Sequence, residues 1–149
     1  MQPTRLAKLT GLFVNFGFYA GILICFMVPF IIKAAAPGYE AFRTYYWPMV
    51  FIFMLSGVFG VLIFYELKKM FHTITARDPF VEANVISLRR MGGYSFFICI
   101  IMALRLFFNI TPTMFVLILV FFIAGLFSLV LSQVFNQAVL YKQENDLTI

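Results

Sequence analysis

The chain has 149 residues, of which 63% are hydrophobic and 11% charged, with 21 phenylalanines and a formal net charge of +5. Its mean hydropathy is +0.98, whereas soluble domains contain about 45–50% apolar and about 25% charged residues. This composition excludes a soluble globular domain and predicts one integral membrane domain over residues 1–149. Basic residues beside apolar spans meet anionic headgroups, so we expect membrane lipids as partners and no direct nucleic-acid binding.

Four apolar segments are long enough to cross about 30 Å of hydrocarbon at a rise of about 1.5 Å per residue. The predicted spans are approximately residues 10–32, 47–67, 91–108 and 113–135. The apolar run of the first is longer than a signal-peptide core, so we interpret it as a retained span. The predicted fold class is all-α: an integral membrane four-helix bundle, with two transmembrane hairpins joined by a cytoplasmic amphipathic helix.

Small residues recur at helical spacing in the spans, and helices in lipid need such residues to approach one another. Gly17 and Gly21 form a GxxxG pair in the first span. The fourth span carries a stripe of small or polar residues, namely Gly125, Ser128, Ser132 and Asn136. We expect these faces to pack within the chain, and a homodimer that uses the GxxxG pair is the alternative.

Basic residues are concentrated on one side of the predicted spans. If the N terminus is cytoplasmic, the inner side carries Arg5, Lys8, Lys68, Lys69, Arg77, Arg89, Arg90 and Lys142. Lys33 and Arg43 then fall in the outer loop. The positive-inside rule therefore predicts a multi-pass protein of the bacterial cytoplasmic membrane with both termini in the cytoplasm.

Glu66 and Arg105 are the ionisable residues that fall within spans, where charge is costly. Glu66 lies one turn before Lys69 and is expected to pair with it. Arg105 lies one turn from the outer end of the third span, and we expect it to snorkel to the headgroups. An inward-facing position beside another helix, or an anionic ligand in the outer leaflet, is the alternative.

Polar residues near the inner ends of the spans are candidates for a pocket open to the cytoplasm. The candidates are Asn15, Glu66, Gln133, Asn136 and Gln137, with Arg105 as a further candidate at the outer end. Interhelical hydrogen bonding is their more ordinary role. Cys25 and Cys99 lie in separate spans and His72 is the only histidine, so the sequence predicts no metal site, no cofactor and no enzyme.

The polar stretch between the second and third spans predicts a surface helix over residues 78–90. Asp78 is expected to cap this helix and Pro79 to occupy its first position. Its apolar face is formed by Phe80, Asn84, Leu88 and Met91. We expect the helix to lie along the inner membrane surface before Gly92 and Gly93, either as a connector or as a docking surface for a cytoplasmic partner.

The polar tail over residues 141–149 continues the fourth span and ends in an apolar tip, Leu147 and Ile149. The tip can fold back on the core, which we favour, or insert into a groove of a partner. The candidate partner-binding residues are Asp78, Pro79, Phe80, Asn84, Leu88, Arg89, Arg90, Leu147 and Ile149.

The segment Asp78-Pro79-Phe80 with the later Asn84, Leu88-Arg89 and Met91-Gly92, together with the ending ENDLTI, carries a family resemblance. The pattern resembles an uncharacterised bacterial family of small four-span membrane proteins, catalogued as a domain of unknown function. The resemblance implies a gene neighbour that encodes a Cro-type helix-turn-helix regulator, and hence a membrane partner or sensor for that regulator.

Two functions follow as hypotheses. The first is a non-enzymatic membrane protein whose cytoplasmic face binds a cytoplasmic helix-turn-helix regulator. The second is a small-molecule or lipid-binding component of a transporter, which uses the polar pocket at the inner ends of the helices. A homodimer is a third, purely structural expectation.

Overall fold

A computed structural model of the chain describes residues 4–148. Its helices in chain order are α1 (Arg5–Ala35), α2 (Glu40–Thr44), α3 (Tyr46–Thr75), α4 (Glu82–Arg105) and α5 (Pro112–Leu147). All of them except the short α2 are long and apolar enough to cross a membrane. The all-α class and the four predicted spanning helices are therefore confirmed, as expected for a multi-pass membrane protein.

The four long helices lie side by side in chain order, each antiparallel to the next. α1 packs on α3, α3 on α4, and α4 on α5. Within residues 4–148, no Cα atom of α1 lies within 8 Å of α4 or α5, and none of α3 lies within 8 Å of α5. The bundle is therefore open between α1 and α5. The start of α1 and the end of α5 lie on one side, here called the terminal side, and α2 lies on the opposite, connection side.

Small residues set the closest approaches between neighbouring helices, as predicted. A Cβ atom added to Gly17 would lie 2.5 Å from the Phe64 ring, and one added to Gly21 would lie 3.0 Å from Val61. The GxxxG pair of α1 thus faces α3 of the same chain. On α5, Ser128 is buried and its hydroxyl donates to the carbonyl of Leu88 at 2.7 Å, which joins the fourth span to α4.

Two apolar cores lie between neighbouring helices near the connection side. The first joins α1 to α3 and consists of Val28, Ile32, Met49 and Val50. The second joins α4 to α5 and consists of Ile98, Met102 and Met114. Most other large apolar side chains of the long helices are exposed on the outer surface, where lipid is their natural solvent.

The separate surface helix predicted over residues 78–90 does not form. α4 starts at Glu82, with Val81 at its N-cap, and continues unbroken to Arg105. Asp78 therefore caps no helix, and Pro79 is not a first helical residue. The reason lies in the segment between α3 and α4, here called the connection. Side-chain contacts hold it against α4 and α5, and the local sequence pattern does not contain those contacts.

Candidate functional site

The end of α3 on the terminal side is a Schellman motif built without glycine. The backbone N–H of Asp78 donates to the carbonyl of Thr73 at 3.1 Å, and that of Arg77 donates to Ile74 at 3.2 Å. Arg77 has a φ of 69° and is the residue with positive φ in the described chain. Glycine is the usual residue at this position because a side chain in the left-handed region costs about 1–3 kcal/mol.

Asn84 closes the connection that follows. Its side-chain amide donates to the hydroxyl oxygen of Thr73 and to the carbonyl of Pro79, each at 2.7 Å. Only 1% of Asn84 is exposed, so both bonds are shielded from water and each contributes more than an exposed one. Asn84 thereby holds the end of α3 to the start of α4 and fixes the backbone around Arg77.

Two contacts join the same connection to α5. The Lys142 ammonium donates to the carboxylate of Asp78 at 2.6 Å, and the ring of Phe80 lies 5.4 Å from that of Phe135. Both members of the ion pair are exposed, and such pairs contribute about 1 kcal/mol or less. Together the two contacts nevertheless set the position of the connection relative to α5.

A buried carboxylate joins α3 to α4 just below this surface. Glu66 is 2% exposed, and its Oε2 accepts from the Ser87 hydroxyl at 2.7 Å and lies 2.5 Å from the Lys69 ammonium. Arg90 lies 3.5 Å from the other oxygen. The predicted pairing with Lys69 is confirmed, and both cations reach solvent while the carboxylate does not. These four residues, Glu66, Lys69, Ser87 and Arg90, are here called the Glu66 cluster. The cluster is suited to holding α3 and α4 in register.

The other pocket candidates do not join Glu66. Asn15 lines a groove of about 480 Å³ between α1 and α3, together with the basic residues Lys8, Lys68, Lys69 and His72. Gln133 and Gln137 are exposed and Asn136 is half-buried on α5. No hydrogen bond among the described residues links any of these four amides to another or to Glu66. The reason is the open bundle, in which α5 contacts neither α1 nor α3, so its amides reach neither Asn15 nor Glu66.

The candidate partner-binding residues divide into buried and accessible groups. Asn84 and Leu88 are buried between helices, so they hold α4 in place and cannot contact a partner, contrary to the prediction. Pro79 is half-buried. The exposed members are Asp78, Phe80, Arg89, Arg90 and Leu147, and Ile149 lies outside the described residues.

The tail does not fold back on the core as expected. α5 continues to Leu147, and every described residue from Tyr141 onward is exposed, with Leu147 at 88%. The reason is that the helix continues straight past the membrane-spanning part. Its end therefore projects from the terminal side with an apolar side chain in water.

Arg105 does not snorkel to the headgroups. It is 6% exposed, and its guanidinium carbon lies 4.6 Å from the centre of the Phe53 ring and 5.8 Å from that of Phe42. Its Nη1 contacts the Met114 sulfur at 3.1 Å, while Nε has no partner among the described residues. Phe42 and Phe53, from two other helices, cover the route that the side chain would take to the surface. Arg105 is thus an inward-facing cation.

The sequence reasoning missed two residues of this site, Ser87 and Arg77. Ser87 follows Asn84 by three residues, so the helical repeat places the two on one face. That spacing was the available signal for a polar contact to α3. Nothing in the sequence predicts the positive φ of Arg77. Only a glycine or an asparagine at this position would have indicated a left-handed backbone.

Comparison with known families identifies a match over most of the chain. The family described as a protein of unknown function, DUF2975, matches residues 30–149. The chain belongs to this family. The DUF2975 region contains α2 to α5 and the last residues of α1, so it includes the whole connection from Arg77 to Glu82 and the Glu66 cluster. Asn15, Gly17 and Gly21 precede it. No curated protein and no solved structure matches the chain.

Proposed function

We propose that this protein is a non-enzymatic membrane protein that binds a soluble partner at a docking surface formed by Arg77, Phe80, Arg89 and Leu147. The observation that carries the proposal is the strained backbone of Arg77. Strain at an exposed residue that glycine would relieve is typical of a position kept for contact with another molecule. Asn84 fixes this backbone, so the side chain is presented from a rigid support.

The chemistry of the docking surface indicates the kind of partner. Arg77 and Arg89 are exposed and form no ion pair with the described residues. Phe80 is 44% exposed, and Leu147 lies at the projecting end of α5. These exposed guanidinium groups and apolar side chains are spread along the terminal side, so they fit an extended protein surface that carries both carboxylates and apolar contacts. The helix-turn-helix regulator implied by the family resemblance is the partner we propose.

The projecting part of α5 supports contact away from the membrane. At about 1.5 Å per residue, the 36 residues of α5 measure about 54 Å, whereas the hydrocarbon core is about 30 Å thick. About 24 Å of helix therefore lies outside the hydrocarbon when the apolar part spans it. The transporter alternative lacks such support, because the amides proposed for its pocket do not come together.

The docking surface is tested by co-purification with the proposed partner, a helix-turn-helix regulator that is co-expressed with the protein. The double variant Phe80→Ala with Arg89→Glu is expected to retain about tenfold less regulator, because reversing a contacting charge costs at least about 1.4 kcal/mol. The matched control is Phe107→Ala with Arg43→Glu, which changes an exposed ring and an exposed arginine on the connection side. Equal retention by the two double variants would contradict the assigned surface.

Arg77→Gly separates stability from binding. Glycine relieves the positive φ, so we expect the free energy of unfolding to rise by about 1 kcal/mol, measured by thermal unfolding in detergent. The same variant is expected to weaken retention of the regulator. Arg89→Gly serves as the control, since it places glycine inside a helix and should destabilise the protein by about 1 kcal/mol. A loss of stability in Arg77→Gly would refute the strain argument.

The proposal also requires the terminal side to face the cytoplasm. The basic residues of that side predict this orientation. A fluorescent protein fused after Ile149 should therefore fold and fluoresce, whereas alkaline phosphatase at the same position should be inactive. Active phosphatase and a dark fluorescent fusion would place the docking surface outside the cell and remove the cytoplasmic partner.

A further inference from the structure

The open side of the bundle is an apolar groove of about 350 Å³ that nothing in the proposed function uses. α1 and α5 form its walls, and α3 and α4 form its floor. Representative lining residues are Ile24 and Val28 on α1, Gly57 and Gly60 on α3, and Leu117 and Phe121 on α5. A Cβ atom added to Gly60 would meet nothing within 4 Å, so the floor at this residue is open space.

The groove has the length of one lipid leaflet. Its lining residues on α3 run from Phe53 to Phe64, which corresponds to about 16 Å along the axis at about 1.5 Å per residue. Half of a hydrocarbon core of about 30 Å is about 15 Å. The groove therefore lies across the middle of the predicted second span, residues 47–67, from about 9 Å inside its connection-side end to about 5 Å from its terminal-side end. It is about as long as one acyl chain.

Arg105 lies at the connection-side end of the groove. Phe53, whose ring lies under the guanidinium, lines the groove, and so does Met102, one turn before Arg105 on α4. No carboxylate among the described residues pairs with Arg105, and its Nε has no acceptor. The two aromatic faces and the C-terminal end of α4 stabilise the cation in part. A buried cation without a hydrogen-bonded anion still lacks its usual compensation.

We propose that the groove binds a membrane phospholipid with an anionic headgroup, with one acyl chain between α1 and α5 and the phosphate at Arg105. The argument rests on charge complementarity at the end of an apolar groove that is about as long as one acyl chain. Guanidinium groups bind phosphate oxygens through paired N–H donors, and Arg105 has donors that no protein acceptor uses. Phe42, on the short helix α2, covers the guanidinium, so the headgroup reaches it when that side chain turns aside.

Native mass spectrometry tests the proposal after reconstitution into nanodiscs of equimolar phosphatidylglycerol and phosphatidylcholine. The wild type should retain phosphatidylglycerol over phosphatidylcholine by about tenfold, the effect expected for a charge-assisted contact. Arg105→Gln should retain both lipids equally. Equal retention of the two lipids by the wild type would overturn the assignment of Arg105. An unchanged preference for phosphatidylglycerol in Arg105→Gln would do the same.

A second variant tests the groove independently of Arg105 and of its effect on folding. Gly60→Leu fills the open floor and should reduce retention of both lipids severalfold. Gly93→Leu is the matched control, because its added Cβ also meets nothing within 4 Å and Gly93 lies outside the groove. Equal lipid retention by the two variants would overturn the groove as the acyl-chain site.

A third arm distinguishes a lipid from a free phosphate ester. Excess glycerol phosphate should leave the retained phosphatidylglycerol in place, because it has no acyl chain to occupy the groove. Its displacement of the lipid would show that Arg105 binds a phosphate group alone and would overturn the lipid assignment.

Discussion

Replacing Glu66 with alanine is expected to lower the free energy of unfolding by about 2 kcal/mol. The carboxylate is 2% exposed and accepts from Ser87 on the neighbouring helix. Its loss leaves a buried hydroxyl without a partner and removes the link between α3 and α4. The cost stays below that of a fully buried ion pair, because Lys69 and Arg90 reach solvent. Thermal unfolding of the purified protein in detergent measures it.

Two variants make the Glu66 result specific. Glu66→Gln keeps an acceptor for Ser87 and should lose about half as much stability. Glu82→Ala removes an exposed carboxylate from the first turn of α4 and should change the unfolding free energy by about 0.5 kcal/mol or less. If Glu66→Ala and Glu82→Ala unfold at the same temperature, the cluster does not hold α3 to α4.

Gly92→Val is expected to destabilise the contact between α4 and α5 by about 2 kcal/mol, within the range for overpacked sites. A Cβ atom at Gly92 would lie 2.9 Å from the side chain of Leu129 and 3.2 Å from the carbonyl oxygen of Gly125. Leu129 can change rotamer, but the Gly125 backbone cannot move without separating the helices. Chemical or thermal unfolding in detergent would report the loss.

The adjacent residue provides the control for Gly92→Val. Gly93→Val introduces the same β-branched side chain into the same turn of α4, so its helix propensity effect is matched. A Cβ atom at Gly93 meets nothing within 4 Å. The difference between the two variants therefore measures the helix contact alone. Equal stability would show that α5 does not approach α4 at Gly92.

The interpretation of paired glycines illustrates how far a sequence pattern reaches. Gly17 and Gly21 indicated a face for close packing, and the structure places α3 of the same chain on it. The alternative of a dimer used the same residues. Spacing identifies a small-residue face but does not identify the helix that covers it, because any helix with a suitable surface can approach glycine.

The exposure of the candidate partner-binding residues was predicted in part. Phe80 and Arg89 are exposed as expected, whereas Asn84 and Leu88 are buried. The sequence pattern placed Asn84 on the apolar face of a surface helix and also made it a candidate for partner binding. Asn84 instead faces inward because Thr73 and the Pro79 carbonyl supply its hydrogen-bond acceptors. A buried polar residue cannot be distinguished from an exposed one until its partners are known.

The sequence by itself determined the number of spanning helices and the concentration of basic residues on one side. Both depend on the length and composition of local segments, since each span must satisfy its own backbone hydrogen bonds in lipid. Only the tertiary structure decided the contacts of Glu66 with Ser87 and Arg90, the burial of Arg105, the positive φ of Arg77 and the gap between α1 and α5. These depend on how each helix is rotated and how far it is shifted against its neighbour. Rotation and shift follow from side-chain contacts between distant residues, which no local pattern contains.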